Sequence, residues 1–427
     1  MPTQIATEKI ANSSYSTWAI GHLRSTSTIR ERAQALLARA RAGQSAYFKV
    51  QDSALLAVAR QVATVTRQRY PDLAIPYHSR WRHFEAGGAD RLAILNTQLG
   101  DVTSAQRARA QIDLALVSVL LDAGAGPDWG YDDARTGQRL TRSEGLGVAS
   151  FNAFMQGVFS SDSSQHCQAD AIGLQAITAS QLGEAFQVGT DNPLVGLEGR
   201  AALLRRLGEV IATQPDVFGA GSAPPRPGHM FNRLTFAKHT TIAASDILAL
   251  VLGALSPVWP AQNSIRDEAG QEIALGDCWH HSAVPGDGVD AGWMPFHKLS
   301  QWLTYSLLEP FEWAGVAVTG LDALTGLPEY RNGGLLLDGG VLAFKDSNLA
   351  AQTWRAGDEL IVEWRALTVA LLDELAPLVR NALGLTAQQM PLACVLEGGT
   401  WAAGRVLAQQ LRGGTPPLNI QSDGTVF

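Results

Sequence analysis

Apolar positions recur at three- and four-residue spacing along much of the chain, and this pattern predicts helices. Between Ser53 and Arg69 one face collects Leu55, Leu56, Ala59, Val62, Ala63 and Thr66, and Tyr70-Pro71 closes the segment. Thr28-Ile29-Arg30-Glu31 has capping-box spacing, and the alanine-rich run behind it stops at Gly43. A third helix is expected from Ser104 to Ala123, running into Gly124-Ala125-Gly126-Pro127. The same periodicity predicts helices around 171–185, 198–213, 231–255, 297–315, 356–383 and 400–412, with Thr400 at an N-cap position. Strand signals are few. The run from Gly334 to Phe344 reads as a hairpin turning at Asp338-Gly339, and the tail from Leu418 to Phe427 as a short edge. With no βαβ alternation and no fixed-period repeat, the expectation is a mainly α, helical protein with one small β-hairpin element.

At 427 residues the chain exceeds an average domain. It reads as one large helical domain, 1–427, with a subdivision into 1–217 and 229–427 offered by the Pro- and Gly-rich stretch Phe218–Gly228. The polar stretch from Pro257 to about Trp293 carries Trp259, Trp279, His280 and His281. A loop of that length is usually functional, which makes 257–296 a candidate active-site rim.

Composition narrows the function classes. An apolar fraction of 46% with a net charge of −7 argues against disorder, and mild acidity argues against a nucleic-acid-coating surface. Small phosphates stay open as ligands. Three widely spaced cysteines, Cys167, Cys278 and Cys394, favour neither a disulfide scaffold nor a zinc knuckle and fit a reducing cytoplasm. The most apolar stretch, Ile247–Leu255, is far shorter than the roughly 20 residues of a membrane span, and the N-terminus lacks the pattern of a secretory signal. The expectation is a cytoplasmic protein with a small-molecule partner, no nucleic acid, no membrane and no cofactor; nothing fixes the oligomeric state.

There is no P-loop, HExxH or GxSxG, and the glycine pairs lack dinucleotide-binding spacing. His280-His281 is a weak metal signal. Tyr77 to Gly88 packs two His, two Arg, Glu85 and three aromatics, and reads either as a capping loop or as a pocket wall for a flat polar ligand. Arg142-Ser143-Glu144-Gly145 and Ser160-Ser161-Asp162 bracket an apolar stretch; capping accounts for Ser143 and Asp162 better than for Glu144. In Met294–Glu309, Phe296, Leu299, Leu303 and Leu307 form a core stripe, while Lys298, Gln301 and Tyr305 share another face. A lysine near the start of a mostly apolar helix needs a carboxylate or phosphate partner. Glu329, after Pro328 and before Gly333-Gly334, is either a salt-bridge partner of Arg331 or a carboxylate with a tuned pKa.

Taken in order, the phrases Arg82–Gly88, Ser143–Leu146, Asn192–Arg200, Pro295–Trp302, Leu327–Gly334, Leu396–Trp401 and Ser422–Phe427 resemble the uracil-catabolism family of fungi and bacteria, over essentially the whole chain. In that pathway uracil is converted to its nucleotide and the ring is opened, leaving urea-bearing ribosyl intermediates. The central phrases Pro193–Arg200, His297–Gln301 and Leu324–Arg331 are also similar to queuosine salvage nucleosidases. Those enzymes hydrolyse an N-glycosidic bond on a helical, DNA-glycosylase-like fold. The likeness places their catalytic Asp at Glu329, with Asn332-Gly333 standing where they have Val-Pro. It implies an N-ribosyl hydrolase releasing urea and ribose phosphate from a ribosylurea phosphate, with Glu329 and Asp277 catalytic. Lys298 and Arg331 would hold phosphate or fix the carboxylate. Tyr330, His297 or Asp277 would supply the leaving-group proton, and Gln301, Glu85, Glu144 and Trp279 would face substrate. Two alternatives stand beside it: a ureide or amide hydrolase using His280, His281 and Asp277, with or without a metal, and a non-catalytic pathway scaffold.

Overall fold

The computed structural model describes residues 18–421, apart from 220, 237–239, 260–262, 268, 269 and 287. Helices dominate, accompanied by small two-stranded pairs. The described parts of Met1–His78, Pro260–Gln301 and Leu321–Ser422 form one compact unit; those of Ser79–Trp259 and Trp302–Gly320 form another. The units interleave along the sequence rather than falling on either side of 217–229, and the Pro- and Gly-rich stretch expected as a linker lies inside the second.

In the first unit the 25-residue helix Glu359–Leu383 packs against Thr26–Arg41 and Leu55–Arg69, and Tyr330–Asp338 packs against Trp401–Arg412. Their buried faces follow the apolar periodicity: Ile29, Ala33, Leu36 and Leu37 from one, Val58, Ala59, Val62 and Ala63 from the next. The first helix is capped by Ser25, whose hydroxyl accepts from Thr28 N at 3.2 Å, one turn before the capping box read from the sequence. In the second unit Ser104–Leu120 begins with a complete capping box between Thr103 and Gln106. Leu197–Ala212 packs on Ala171–Ala176 there, and Trp81–Phe84 on Arg142–Met155.

Three expectations are corrected. The hairpin at Asp338-Gly339 is absent: Tyr330–Asp338 is helical, and Leu342–Phe344 pairs antiparallel with Phe48–Val50. A leucine run has no distinct period, and here Leu335 and Leu336 are buried on a helix that Glu329 caps. The supposed rim loop carries its own structure, Ser264–Arg266 paired with Glu272–Ala274 and Cys278–His280 with Trp293–Pro295. Thr400 is not an N-cap. It sits in a π-helical turn, Leu396–Thr400, between Leu392–Val395 and Trp401–Arg412. The tail does add an edge, Asn419–Gln421, parallel to Thr353–Arg355; the closing phrase Ser422–Phe427 lies outside the described residues.

Candidate functional site

Glu329 stands at the N-cap of the helix Tyr330–Asp338, with extended backbone (φ −102°, ψ 169°). Ser, Thr, Asp and Asn are the usual caps, but the longer glutamate side chain folds back so that Oε2 accepts from Arg331 N at 2.6 Å and Oε1 from Asn332 N at 2.7 Å. The residue is 9% exposed. Burial raises its pKa above the ordinary glutamate value, outweighing the two backbone hydrogen bonds and the positive charges of Lys298 and His78, which act in the opposite direction. Of the two glycines in this helix, Gly333 is required by packing. A Cβ on Gly333 would lie 2.6 Å from the Trp364 ring, whose Nε1 donates to the Gly333 carbonyl at 3.2 Å.

Lys298 opens the helix Lys298–Trp313, and the cap of that helix comes from far along the chain. Asp277 Oδ2 accepts from Lys298 N at 2.9 Å, while its backbone carbonyl takes the Phe296 and His297 amides at 2.9 and 3.1 Å. The Asp277 carboxylate is bidentate with Arg365 at 2.7 Å on each oxygen and accepts from Trp279 Nε1 at 2.7 Å. Against the cost of burial, these partners bring its pKa down to about 2. Arg365 lies over the Phe296 ring, 4.0 Å from its centroid, and its Nε donates to the Pro328 carbonyl at 3.3 Å. One guanidinium thus links the start of the Lys298 helix to the peptide just before Glu329.

On the other flank, Glu397 occupies the π-helical turn. It accepts from Arg69 Nη2 at 2.8 Å, Tyr70 Oη at 3.0 Å and His78 Nδ1 at 2.8 Å, and Arg69 also reaches its backbone carbonyl. Burial raises its pKa, but the hydrogen bond and charge of His78, followed by those of Arg69, outweigh it and bring the pKa down to about 2. π-turns of this kind are frequent at functional sites. This one needs its glycines, since a Cβ on Gly399 would lie 2.5 Å from Thr66 Oγ1 and 2.6 Å from the Val62 carbonyl.

The structure therefore gathers Glu329, Lys298, Asp277 and Trp279 in the first unit, and it sorts the remaining expected residues. Arg331 binds Glu329 through its backbone N–H; its guanidinium donates to the Gly414 carbonyl at 3.2 Å and covers the Tyr330 ring at 4.9 Å. Tyr330 is 37% exposed beside Glu329. Gln301 is fully committed to Thr325, donating to Oγ1 at 2.5 Å and accepting its N–H at 3.1 Å. His297 is buried with φ +49°, and its Nε2 meets the Leu23 carbonyl at 2.8 Å. His281 Nδ1 accepts from Ala283 N, with Nε2 3.4 Å from Glu363. Among the described residues no three His, Cys, Asp or Glu side chains form a metal-binding group.

Glu85 and Glu144 belong to the second unit. Glu85 is paired with Arg82 at 3.1 Å, and Glu144 sits in the first turn of Arg142–Met155, where its charge acts on Arg80. That unit has a pocket of about 650 Å³ lined by Arg109, Arg226, His166 and His229 among others. Its basic groups are largely engaged: Arg226 with Asp113 at 2.5 Å and Gln168 at 2.7 Å, His229 with the Phe218 carbonyl at 2.6 Å.

Sequence reasoning did not single out Arg365, Glu397 or His78. His78 and Glu397 each sit in a phrase dense with polar residues, but their pairing spans 319 positions and no local spacing reveals it.

Residues 22–427 match the family described as "Protein of unknown function (DUF1688)". The chain belongs to this family. It is 40% identical to a protein of Schizosaccharomyces pombe named "Protein urg3", over 96% of this chain and all of that one. It is 35% identical to "Uracil catabolism protein 4" of Lachancea kluyveri, over 96% of this chain and 99% of that one. Membership in the family rests on nearly the whole length of the chain, and the second relative is named for uracil catabolism.

Proposed function

We propose that this protein hydrolyses the N-glycosidic bond of a ring-opened pyrimidine nucleotide, a ribosylurea phosphate, releasing urea and ribose phosphate. The observation carrying the reading is Glu329: a buried carboxylate with a raised pKa, fixed by two backbone N–H groups and within the electrostatic reach of a helix-borne lysine. The relatives' place in uracil catabolism supports the substrate class.

Breaking a ribosyl C–N bond develops positive charge on the sugar. A preorganised carboxylate stabilises that charge most in a site that excludes water. The same group, ionised and with its pKa raised by burial, accepts a proton from the attacking water. Each carboxylate oxygen uses one lone pair on the helix N-terminus and keeps another for this work. Lys298 steadies the ionised form of Glu329 or meets the substrate phosphate. Asp277 acts as a positioning residue: a carboxylate with a pKa of about 2 carries no proton at neutral pH, but it fixes where Lys298 begins its helix.

Incubation of the purified protein with synthetic ribosylurea 5-phosphate is expected to release urea. Glu329→Gln, nearly isosteric but uncharged, is expected to lose on the order of 10³-fold in kcat. No urea from the wild type, or undiminished urea from the variant, overturns the reading.

A further inference from the structure

A urea nitrogen is a poor leaving group unless it is protonated as it departs, and neither Asp277 nor His297 is placed to give that proton. Asp277 is ionised and paired with Arg365, and His297 is tied to a backbone carbonyl deep in the first unit. We propose that His78, held by Glu397, is the acid that protonates the departing urea nitrogen. The proposal rests on the hydrolase reading and deepens it.

The geometry is that of a carboxylate-oriented imidazole. Glu397 accepts from His78 Nδ1 at 2.8 Å, which assigns the proton on that nitrogen and leaves Nε2 as the working one. Glu397 is itself immobilised by Arg69 and Tyr70 and stays ionised, so it can orient the ring and stabilise the positive charge the ring carries before it donates. The backbone holds the ring as well, His78 N donating to the Ala393 carbonyl at 3.0 Å. The His78 side chain is 14% exposed, enclosed but not sealed. The turn Leu396–Thr400, which carries Glu397, packs against the helix Tyr330–Asp338 that Glu329 caps, so His78 is held beside that helix start, and its charge acts on Glu329 as that of Lys298 does. Glu397 bonds His78 directly, Arg69 shares that carboxylate, and the charge of His78 acts on Glu329.

The step balances. The C1–N bond breaks with its electron pair moving to nitrogen, and His78 Nε2 gives that nitrogen a proton, producing neutral urea. Water adds to C1, and Glu329 takes the proton it releases. His78 ends neutral and Glu329 protonated, and a proton passing between them through solvent restores both.

The test separates the acid from the rest of the site by changing the leaving group. A 4-nitrophenyl riboside 5-phosphate departs as a stable phenolate and needs little protonation. His78→Gln is expected to lose on the order of 10²–10⁴-fold on ribosylurea 5-phosphate and far less on the nitrophenyl substrate, whose cleavage also reports an intact site. Glu397→Gln, which keeps the imidazole but removes its orienting charge, is expected to show the same selectivity in milder form. Glu329→Gln is expected to lose activity on both substrates. Equal losses of His78→Gln on the two substrates, or none on either, overturn the proposal while the hydrolase reading stands. A wild type that cleaves neither substrate overturns the hydrolase reading itself.

Discussion

At the residue level the account turns on how environment separates three buried carboxylates. Among the described residues Glu329 has no guanidinium partner, and burial lifts its pKa; Asp277 and Glu397 each face an arginine, and both fall to about 2. Groups pushed apart in this way divide chemical roles between them. The pH dependence follows. In the proposed mechanism Glu329 works ionised, so kcat/KM is expected to rise with pH through an ionisation above the ordinary glutamate range; a rate profile from pH 4 to 9 should show an acid limb that Glu329→Gln removes. The two depressed carboxylates act on stability instead: their contribution is present above the usual carboxylate range and is lost as pH falls toward about 2. Glu329 stands out in the sequence because its phrase sets a carboxylate between a proline and a glycine pair, but the leucines behind it read as a strand rather than as the helix it caps. Arg365 does not stand out, because its partner Asp277 lies 88 positions away and nothing near Arg365 distinguishes it from a helix-surface arginine.

Among the elements, the helix starts are what the site is built from. Lys298 and Glu329 both stand where a helix begins, one capped by a distant aspartate, the other serving as the cap. Removing the Asp277 charge leaves Arg365 buried without its carboxylate and weakens the Lys298 helix start. Asp277→Asn is therefore expected to cost about 3–5 kcal/mol of stability, read as a lower midpoint in urea denaturation. A loss within about 0.5 kcal/mol, the range of an ordinary surface change, would contradict the linking role of Arg365. Helix periodicity located most of these elements, including Leu55–Arg69 and Glu359–Leu383. It failed where period is silent: in the leucine run of Tyr330–Asp338, in the short hairpins between 263 and 295, and in the π-turn that absorbs Thr400. A three-residue strand is set by its pairing partner rather than by its own sequence.

For the molecule as a whole, the candidate site lies in a unit assembled from three separated stretches of chain, which is why no sequence boundary announced it. The side chains around Glu329 come from residues 69–78, 277–298, 329–365 and 397. Among the described residues no helix is long and apolar enough to cross a membrane. One relative is named for uracil catabolism, and the central claim concerns which bond this chain breaks. The most direct measurement is turnover of ribosylurea 5-phosphate in ¹⁸O-labelled water, with the products identified by mass spectrometry. Cleavage of the ribosyl C–N bond predicts unlabelled urea appearing one for one with ribose phosphate. Ammonia in place of urea would show that the ureide bond had been hydrolysed instead, and would contradict the account.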